Sequence, residues 1–273
     1  MKTILFLLCF LIISKTVFSN QLFQTEVYEL KFIADDINML KEKKIDEIKI
    51  KSFKKIIQKL LSKKNYTKID TNDINFINKF ILNYKINNEK IINNNYYSKI
   101  KVDFNDELII EYLINNKIQY VNQRPDKFLI IVMEKNDLQD HIFSKDNNFY
   151  KYLQNSNITR FNKHLLLPNL DHNDRFIFNQ YHFKNNVFRQ NNLLNKKYGT
   201  EYQILINSIN KNNNIFYDVY LFHNNQKYFL SKIPIKNLSY DKLFDNILFK
   251  TINKWKEINQ INTSLNNKLE CKF

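Results

Sequence analysis

The chain has 273 residues and a single glycine, Gly199. No other feature narrows its architecture as much. Loops that cradle phosphates are built on several glycines, because the backbone must approach the anion closely. Walker, Rossmann and protein-kinase nucleotide sites in their usual form are therefore excluded, and so is collagen. No serine lies in a glycine-flanked elbow, the strained turn that presents a hydrolase nucleophile. Punctuation falls to asparagine instead. The chain has 44 of them, and the runs Asn93–Asn95, Asn212–Asn214 and Asn224–Asn225 read as turns. With abundant Lys and Ile, this bias carries the mark of AT-rich codons. Such tracts are far too short for a prion-like segment.

The remaining composition belongs to a folded protein. Hydrophobic residues make up 44% and aromatics 15%, more apolar content than disorder goes with. A mean hydropathy of −0.48 and one long apolar run exclude a polytopic membrane protein. The net charge is +15, spread along the chain as lysine. A spread excess keeps a protein soluble and gives weak, salt-sensitive attraction to anionic surfaces. Basic and aromatic residues do not interleave in an RNA-binding motif, so no specific nucleic-acid partner is expected.

Residues 1–19 read as a secretory signal peptide. Lys2 supplies the positive start, and Ile4–Ile13 form an apolar run too short to span a bilayer. Val17-Phe18-Ser19 offers a cleavage site after Ser19 or after Asn20. The alternative is an uncleaved anchor, since Lys15 follows the run. Cys9 falls in the leader, and Leu8 before it is too large for a lipoprotein signal. Cleavage leaves Cys271 alone, so the fold is expected to rest on its core with no internal disulfide.

Periodicity predicts an α+β protein made of two small α/β modules with mixed or antiparallel sheets, each covered by helices. Residues 22–122 form the first. Tyr28, Leu30 and Phe32 alternate as one face of a strand. A helix follows from about Leu40 to Leu61, with Phe53, Ile56, Ile57 and Leu60 inward and Lys51, Lys54, Lys55 and Lys59 largely outward. A basic amphipathic helix can lie on an anionic membrane. The plainer reading is a solvated face over a core stripe. Asp73–Tyr84 is expected to be a second helix, with Ile74, Ile77, Phe80 and Ile81 inward. Lys90–Ile92 and Tyr97–Phe104 read as a hairpin whose second strand has one wet face, Lys99, Lys101 and Asp103. Asn105 caps a helix with the stripe Leu108, Ile109, Tyr112 and Leu113.

After a linker at Arg124–Lys127, residues 125–258 form the second module. Phe128–Met133 is a continuous apolar run, as in a strand buried on both faces. Asp146–Leu153 reads as a helix, His164–Leu167 as a second buried strand, and Asn186–Tyr198 as a helix closed by Gly199. Strands follow at Tyr202–Ile209, Phe216–Phe222 and Lys227–Ile233. Ser239 caps a final helix with Phe244, Ile247, Leu248, Thr251, Ile252 and Trp255 inward. Residues 259–273 read as a frayed polar tail.

Several of these segments fall in a familiar order: the leader, the opening strand and long helix (Tyr28–Leu61), the strand running into a capped helix (Ile100–Leu113), Pro125 before an apolar strand, Leu165-Leu166-Leu167-Pro168-Asn169-Leu170-Asp171, and Trp255-Lys256 in the last helix. In this the chain resembles the proteobacterial secreted proteins catalogued as domain of unknown function 2066. It departs from them at Met133-Glu134, where they carry Pro and Trp, and at Asn169-Leu170-Asp171, where they have Gly-Asp. The second half is similar to the amino-terminal α/β domain of TolB-type envelope proteins, through Tyr198-Gly199-Thr200-Glu201-Tyr202 followed by Ile204-Leu205-Ile206. The first resemblance implies no established activity. The second implies protein contacts in the periplasm, by analogy of fold alone.

The residues offer little chemistry. The five histidines, His141, His164, His172, His182 and His223, include no pair at zincin spacing, and no cysteine pair exists for zinc. Asp171-His172-Asn173-Asp174 is the densest set of ligand types, but it lacks the turn glycine of a calcium loop and reads as a polar turn after Pro168. Asp35-Asp36 are neighbours in a turn and point apart. Sequons at Asn65, Asn157, Asn237 and Asn262 would matter in a eukaryotic source. No catalytic, cofactor-binding or metal-ligating residue is assigned. The expectation is an exported protein, periplasmic in a bacterium, that binds or assembles with an envelope partner through a sheet edge or a basic surface. The alternatives are an enzyme with a site over Pro168–Asp174 that gathers His164, His172 or Asp171, a secreted effector of an AT-rich parasite, and a basic polyanion binder.

Overall fold

A computed structural model describes residues 22–125, 127–136, 139–143, 147–156, 164–211, 214–234 and 239–263. The leader, Cys271 and the sequons at Asn157 and Asn237 lie outside these residues. The protein is α+β and divides into two compact units. One combines the chain up to Gln123 with the stretch from Gln260 onward, and the other is Arg124–Asn259.

The first unit runs β1 (Tyr28–Ile33), α1 (Ile37–Leu60), α2 (Lys63–Tyr66), α3 (Ile74–Asn78), β2 (Ile81–Ile92), β3 (Asn95–Phe104) and α4 (Asp106–Asn115). Its antiparallel sheet has the order β1-β3-β2. Along the central strand, Tyr96, Ser98, Ile100, Val102 and Phe104 are buried, while the residues between them are not. That period of two points one face at the helices. There Ile45, Ile48, Phe53, Ile56, Ile57 and Leu60 of α1 and Ile109 and Leu113 of α4 complete a single core. Phe53 is its hub, with ring centroids 5.6 Å from Phe80, 5.7 Å from Phe104 and 6.1 Å from Phe76. Asp36 and Asn105 cap α1 and α4, accepting from the amides of Met39 and Leu108.

Two expectations change here. The helix expected over Asp73–Tyr84 stops at Asn78, and Ile81 already begins β2. Ile77 and Phe80 face inward as their spacing requires. The residues after them gain more by pairing, with Ile81 opposite Phe104 and Tyr84 opposite Val102, so tertiary pairing overrides a helical period. Nor is the end of the chain a tail from residue 259. Asn259 closes the last helix, and the Ile261 amide donates to the Tyr120 carbonyl at 2.7 Å.

The second unit holds β4 (Phe128–Asn136), β5 (Gln139–Ile142), α5 (Asn148–Asn155), β6 (Leu165–Leu166), α6 (His172–Ile177), α7 (Gln180–Lys184), α8 (Phe188–Tyr198), β7 (Tyr202–Lys211), β8 (Asn214–His223), β9 (Gln226–Pro234) and α9 (Tyr240–Asn259). The sheet is mixed, in the order β5-β4-β7-β8-β9, with β4 and β7 parallel and β6 beside the start of β4. Phe128–Met133 is buried throughout, as a continuous apolar run demands. Leu129, Ile131 and Met133 pack with Phe178, Phe183 and Leu194 from the α6–α8 side. On the opposite side, Phe149 of α5 meets Tyr217 of β8 and Tyr240 of α9 at 5.5 and 5.3 Å.

Asparagine does the work of glycine at the turns. Asn93 and Asn94 (φ 45° and 60°) close the β2–β3 hairpin, and Asn224 and Asn225 (φ 47° and 59°) close β8–β9. The type I′ hairpin turn, whose twist matches that of the strands, needs positive φ at both positions, and Asn tolerates it best after Gly. Gly199 sits at φ 59°, ψ 44°, ending α8. Among the described residues, no helix is long and apolar enough to cross a membrane.

Candidate functional site

The described helices of the first unit cover one face of its sheet, and among the described residues of the unit the other face is open. Register places Glu29, Lys31 and Ile33 of β1 beside Lys99, Tyr97 and Asn95 of β3. From β2 come Lys85 beside Lys101, Asn87 beside Lys99, Lys90 beside Tyr97 and Ile92 beside Asn95. The face thus carries Lys31, Lys85, Lys90, Lys99 and Lys101 against two acids, Glu29 and Asp103. Lys99 pairs with Glu29 at 3.1 Å and Lys101 with Asp103 at 3.0 Å. The Lys99–Glu29 pair is solvent-exposed and contributes little to stability, whereas Lys101 and Asp103 are half-buried.

A shallow hollow of about 600 Å³ crosses the three strands of this face. Lys31, Tyr97 and Lys90 form one cross-strand row within it, flanked by Glu29, Lys99 and Asn88. The Lys31 ammonium lies 5.3 Å from the centre of the Tyr97 ring, a cation–π contact. An irregularity in β2 shapes the far rim. Register shifts between Asn87 and Lys90, with Asn88 in the left-handed region at φ 55°. The extra residues turn Glu89 to the packed side, as a bulge re-aims side chains. There it accepts from the Tyr96 hydroxyl at 2.8 Å and from the Lys41 ammonium at 2.5 Å. The bond to Lys41, then that to Tyr96, hold the Glu89 carboxyl below its usual range. Burial raises the Tyr96 phenol. Lys90, past the bulge, returns to the open face.

The segment Pro168–Asp174 is built differently. Asp171 is no turn residue: it caps α6, accepting from the Asp174 amide at 2.7 Å. Asp174 is fully buried, its carboxylate accepting from Lys197 at 2.7 Å and from the Tyr198 hydroxyl at 2.6 Å. Lys197 also donates to both oxygens of Asp171 at 2.8 Å. The Tyr198 oxygen accepts from the Asn169 amide at 2.7 Å, and the Tyr150 hydroxyl donates to the Pro168 carbonyl at 2.8 Å. These bonds fix a strained turn, since Leu170 stands at φ 59°, a region costly for a side chain. The bond from Lys197 holds the Asp171 carboxyl below its ordinary range. Burial, reinforced by Asp174, pushes the Tyr198 phenol up. The site gathers Asp171 and Asp174 with Lys197 and Tyr198, two residues the sequence did not single out, and their bonds are spent on holding α6 to α8.

The remaining candidates serve the fold. His172 is exposed on the first turn of α6, and His164 is half-buried before β6. His182 Nδ1 accepts from the Asn179 amide in a capping box. His223 stacks on Tyr202, with centroids 4.1 Å apart. The His141 side chain lies outside the described residues. Asp36 is a helix cap. Asn65 is buried, its amide donating to the Gln119 carbonyl at 2.9 Å, so that sequon is closed to a glycan. The α1 lysines lie over the core stripe and engage their neighbours: Lys55 pairs with Glu26, Lys54 donates to Asn72, and Lys59 donates to the Gln24 carbonyl. Among the described residues, no three His, Cys, Asp or Glu side chains are placed to hold a metal ion. The sequence already marked the wet face of β3. What it left unseen is that Glu29, Lys31 and Lys90 align with that face, because cross-strand register is not a local signal.

No family model matches this chain, and comparison with curated proteins finds no match.

Proposed function

We propose that this is an exported, non-enzymatic binding or assembly protein of the cell envelope, and that the open face of its first sheet is the surface it binds with. The carrying observation is that face itself, a lysine-lined hollow across three strands that no described helix of the unit covers. A sheet that buries one face normally presents polar side chains on the other, but a concave hollow with an aromatic at its centre and a surplus of one charge goes beyond solvation. Residues 1–19, with the traits of a leader, support export, as do the resemblances to secreted and TolB-type envelope proteins. The absence of a catalytic motif in the sequence, and the structural use of Asp171 and Asp174, support a role without chemistry.

Two measurements test the reading. Sequencing the amino terminus of the cell-purified protein should find Asn20 or Gln21 first; an intact Met1 in cytosolic protein contradicts export. A photo-crosslinker in place of Lys90 should trap a ligand in intact cells, while one in place of Lys43 on α1 should not. Equal trapping at both positions contradicts the assignment of the face.

A further inference from the structure

We propose that the hollow on the first sheet binds a linear acidic polysaccharide, with Lys31, Lys90 and Lys99 receiving its carboxylate or sulfate groups and Tyr97 carrying a sugar ring between them. The inference rests on the binding role given to this face and adds the chemistry of the ligand.

Charge sets the sign of the occupant. Five lysines against two acids leave the face positive, and its Lys99–Glu29 pair is exposed. An anion can therefore displace Glu29 from Lys99 at little cost, because exposed pairs are worth little. Geometry sets the shape. Neighbouring strands lie about 4.8 Å apart and alternate residues on one strand about 6.7 Å apart, so the lysines are rooted in a two-dimensional array across the strands, suited to an extended chain.

The other lining groups select among polyanions. Single-stranded nucleic acid is gripped by several aromatic platforms on which successive bases stack, and the lining of this hollow holds one ring, Tyr97. A peptide that adds to a sheet does so at its edge, through main-chain hydrogen bonds, which a mid-sheet hollow does not offer. A polysaccharide carries hydroxyl donors as well as anions. Glu29 and Asn88, which line the hollow beside the lysines, supply the acceptors those hydroxyls require. A carboxylate there would only repel a ligand that is anionic and poor in donors.

Calorimetric titration of the purified protein tests this, using a polygalacturonate oligomer and a heparin hexasaccharide beside an oligo-thymidylate and a polyglutamate of matched charge. The saccharides should bind about tenfold more tightly than the other two, equivalent to one good additional contact. Lys31→Gln with Lys90→Gln should weaken saccharide binding about tenfold and flatten its salt dependence. Tyr97→Ala should weaken it about fivefold without changing that salt dependence. Lys43→Gln with Lys64→Gln, on exposed positions of α1 and α2, should change nothing. If oligo-thymidylate or polyglutamate binds as tightly and is lost in the Lys31→Gln, Lys90→Gln variant, the polysaccharide is overturned and the binding face stands. If no polymer binds, or that variant binds like the Lys43→Gln, Lys64→Gln control, the assignment of the face falls with it.

Discussion

The two sheets of this protein are solutions to different burial problems. In the first unit the central strand β3 alternates, with Ile100, Val102 and Phe104 inward and Lys99, Lys101 and Asp103 outward. Among its described residues, helices cover one face only. In the second, β4 is apolar at every position from Phe128 to Met133, and helices lie on both faces. The difference tells where function can reside. A sheet covered on both sides has only its strand ends and edges to offer, whereas a sheet covered on one side offers a whole face. The polar cluster of Asp171, Asp174, Lys197 and Tyr198 in the second unit accordingly braces helices, while the row Lys31–Tyr97–Lys90 lies on the open face, with Lys31 set over the Tyr97 ring.

The comparison can be broken most forcefully through the cores. Phe53→Ala removes the hub of the first core and should cost about 3–5 kcal/mol. Hydrogen exchange should then quicken over β3 and α1 while Phe128–Met133 and Ile204–Ile206 keep their protection. Simultaneous loss in both units would show that the cores do not stand separately. Lys197→Met leaves the buried Asp174 carboxylate without its cation. Breaking such a pair costs about 3–5 kcal/mol when it is fully enclosed. Water can reach the Lys197 position, so about 2–3 kcal/mol is expected in a denaturant titration, with Tyr97→Ala showing much less.

Titration separates the units further. Burial pulls the Lys256 ammonium of α9 down to about 8 and lowers Lys227 as well. A base whose pKa is depressed on folding penalises the folded state while protonated. The penalty lifts as pH rises through the folded value toward the unfolded one near 10.5. Stability should therefore climb by about 2 kcal/mol between pH 7.5 and 9.5. It should fall again above pH 10, where the buried phenols of Tyr198 and Tyr217, both raised, would ionise on unfolding. Thermal melts across that range check the sign, and a flat profile would contradict the burial of Lys256. On the acid side, the depressed carboxyls of Glu89 in one unit and Asp171 in the other contribute stability above their unfolded pKa near 4. That contribution fades as pH falls through their lower folded values.

Smaller effects sharpen the contrast. Gly199→Ala meets no neighbour within 4 Å but keeps φ at +59°, so it should cost about 1 kcal/mol from backbone strain alone. Lys31→Gln with Lys90→Gln should shift the melting curve by less than about 0.5 kcal/mol, since those side chains hold nothing in place. A larger loss would make them structural.

Much of this fold was legible in the sequence, for physical reasons that can be named. The long helix, the β3 alternation, the buried β4 run, the Gly199 cap and the three closing strands each carry a local period or a backbone requirement. The short helices α6 and α7 carry neither. Their only local signs are the caps Asp171 and Asn179, which a chain with 44 asparagines disguises. The conversion of Ile81–Tyr84 from helix to strand depended on a partner strand distant in sequence. The lysine face was half legible: Lys99, Lys101 and Asp103 announced a wet side of β3. The bulge that returns Lys90 beside Tyr97 depends on Asn88 at positive φ and on Glu89 turned to Tyr96 and Lys41, and none of that is written in periodicity.

The proposed binding role requires the open face of the first sheet to be accessible to a ligand. Lysine acetylation read by mass spectrometry tests it most directly, on the free protein and with saturating acidic polysaccharide. The account predicts that Lys31, Lys90 and Lys99 react fast when free, far faster than the buried Lys256, and are protected together on binding while Lys43 and Lys64 are not. Slow labelling of Lys31, Lys90 and Lys99 in the free protein, or protection that falls on α1 and α2 instead, would contradict it.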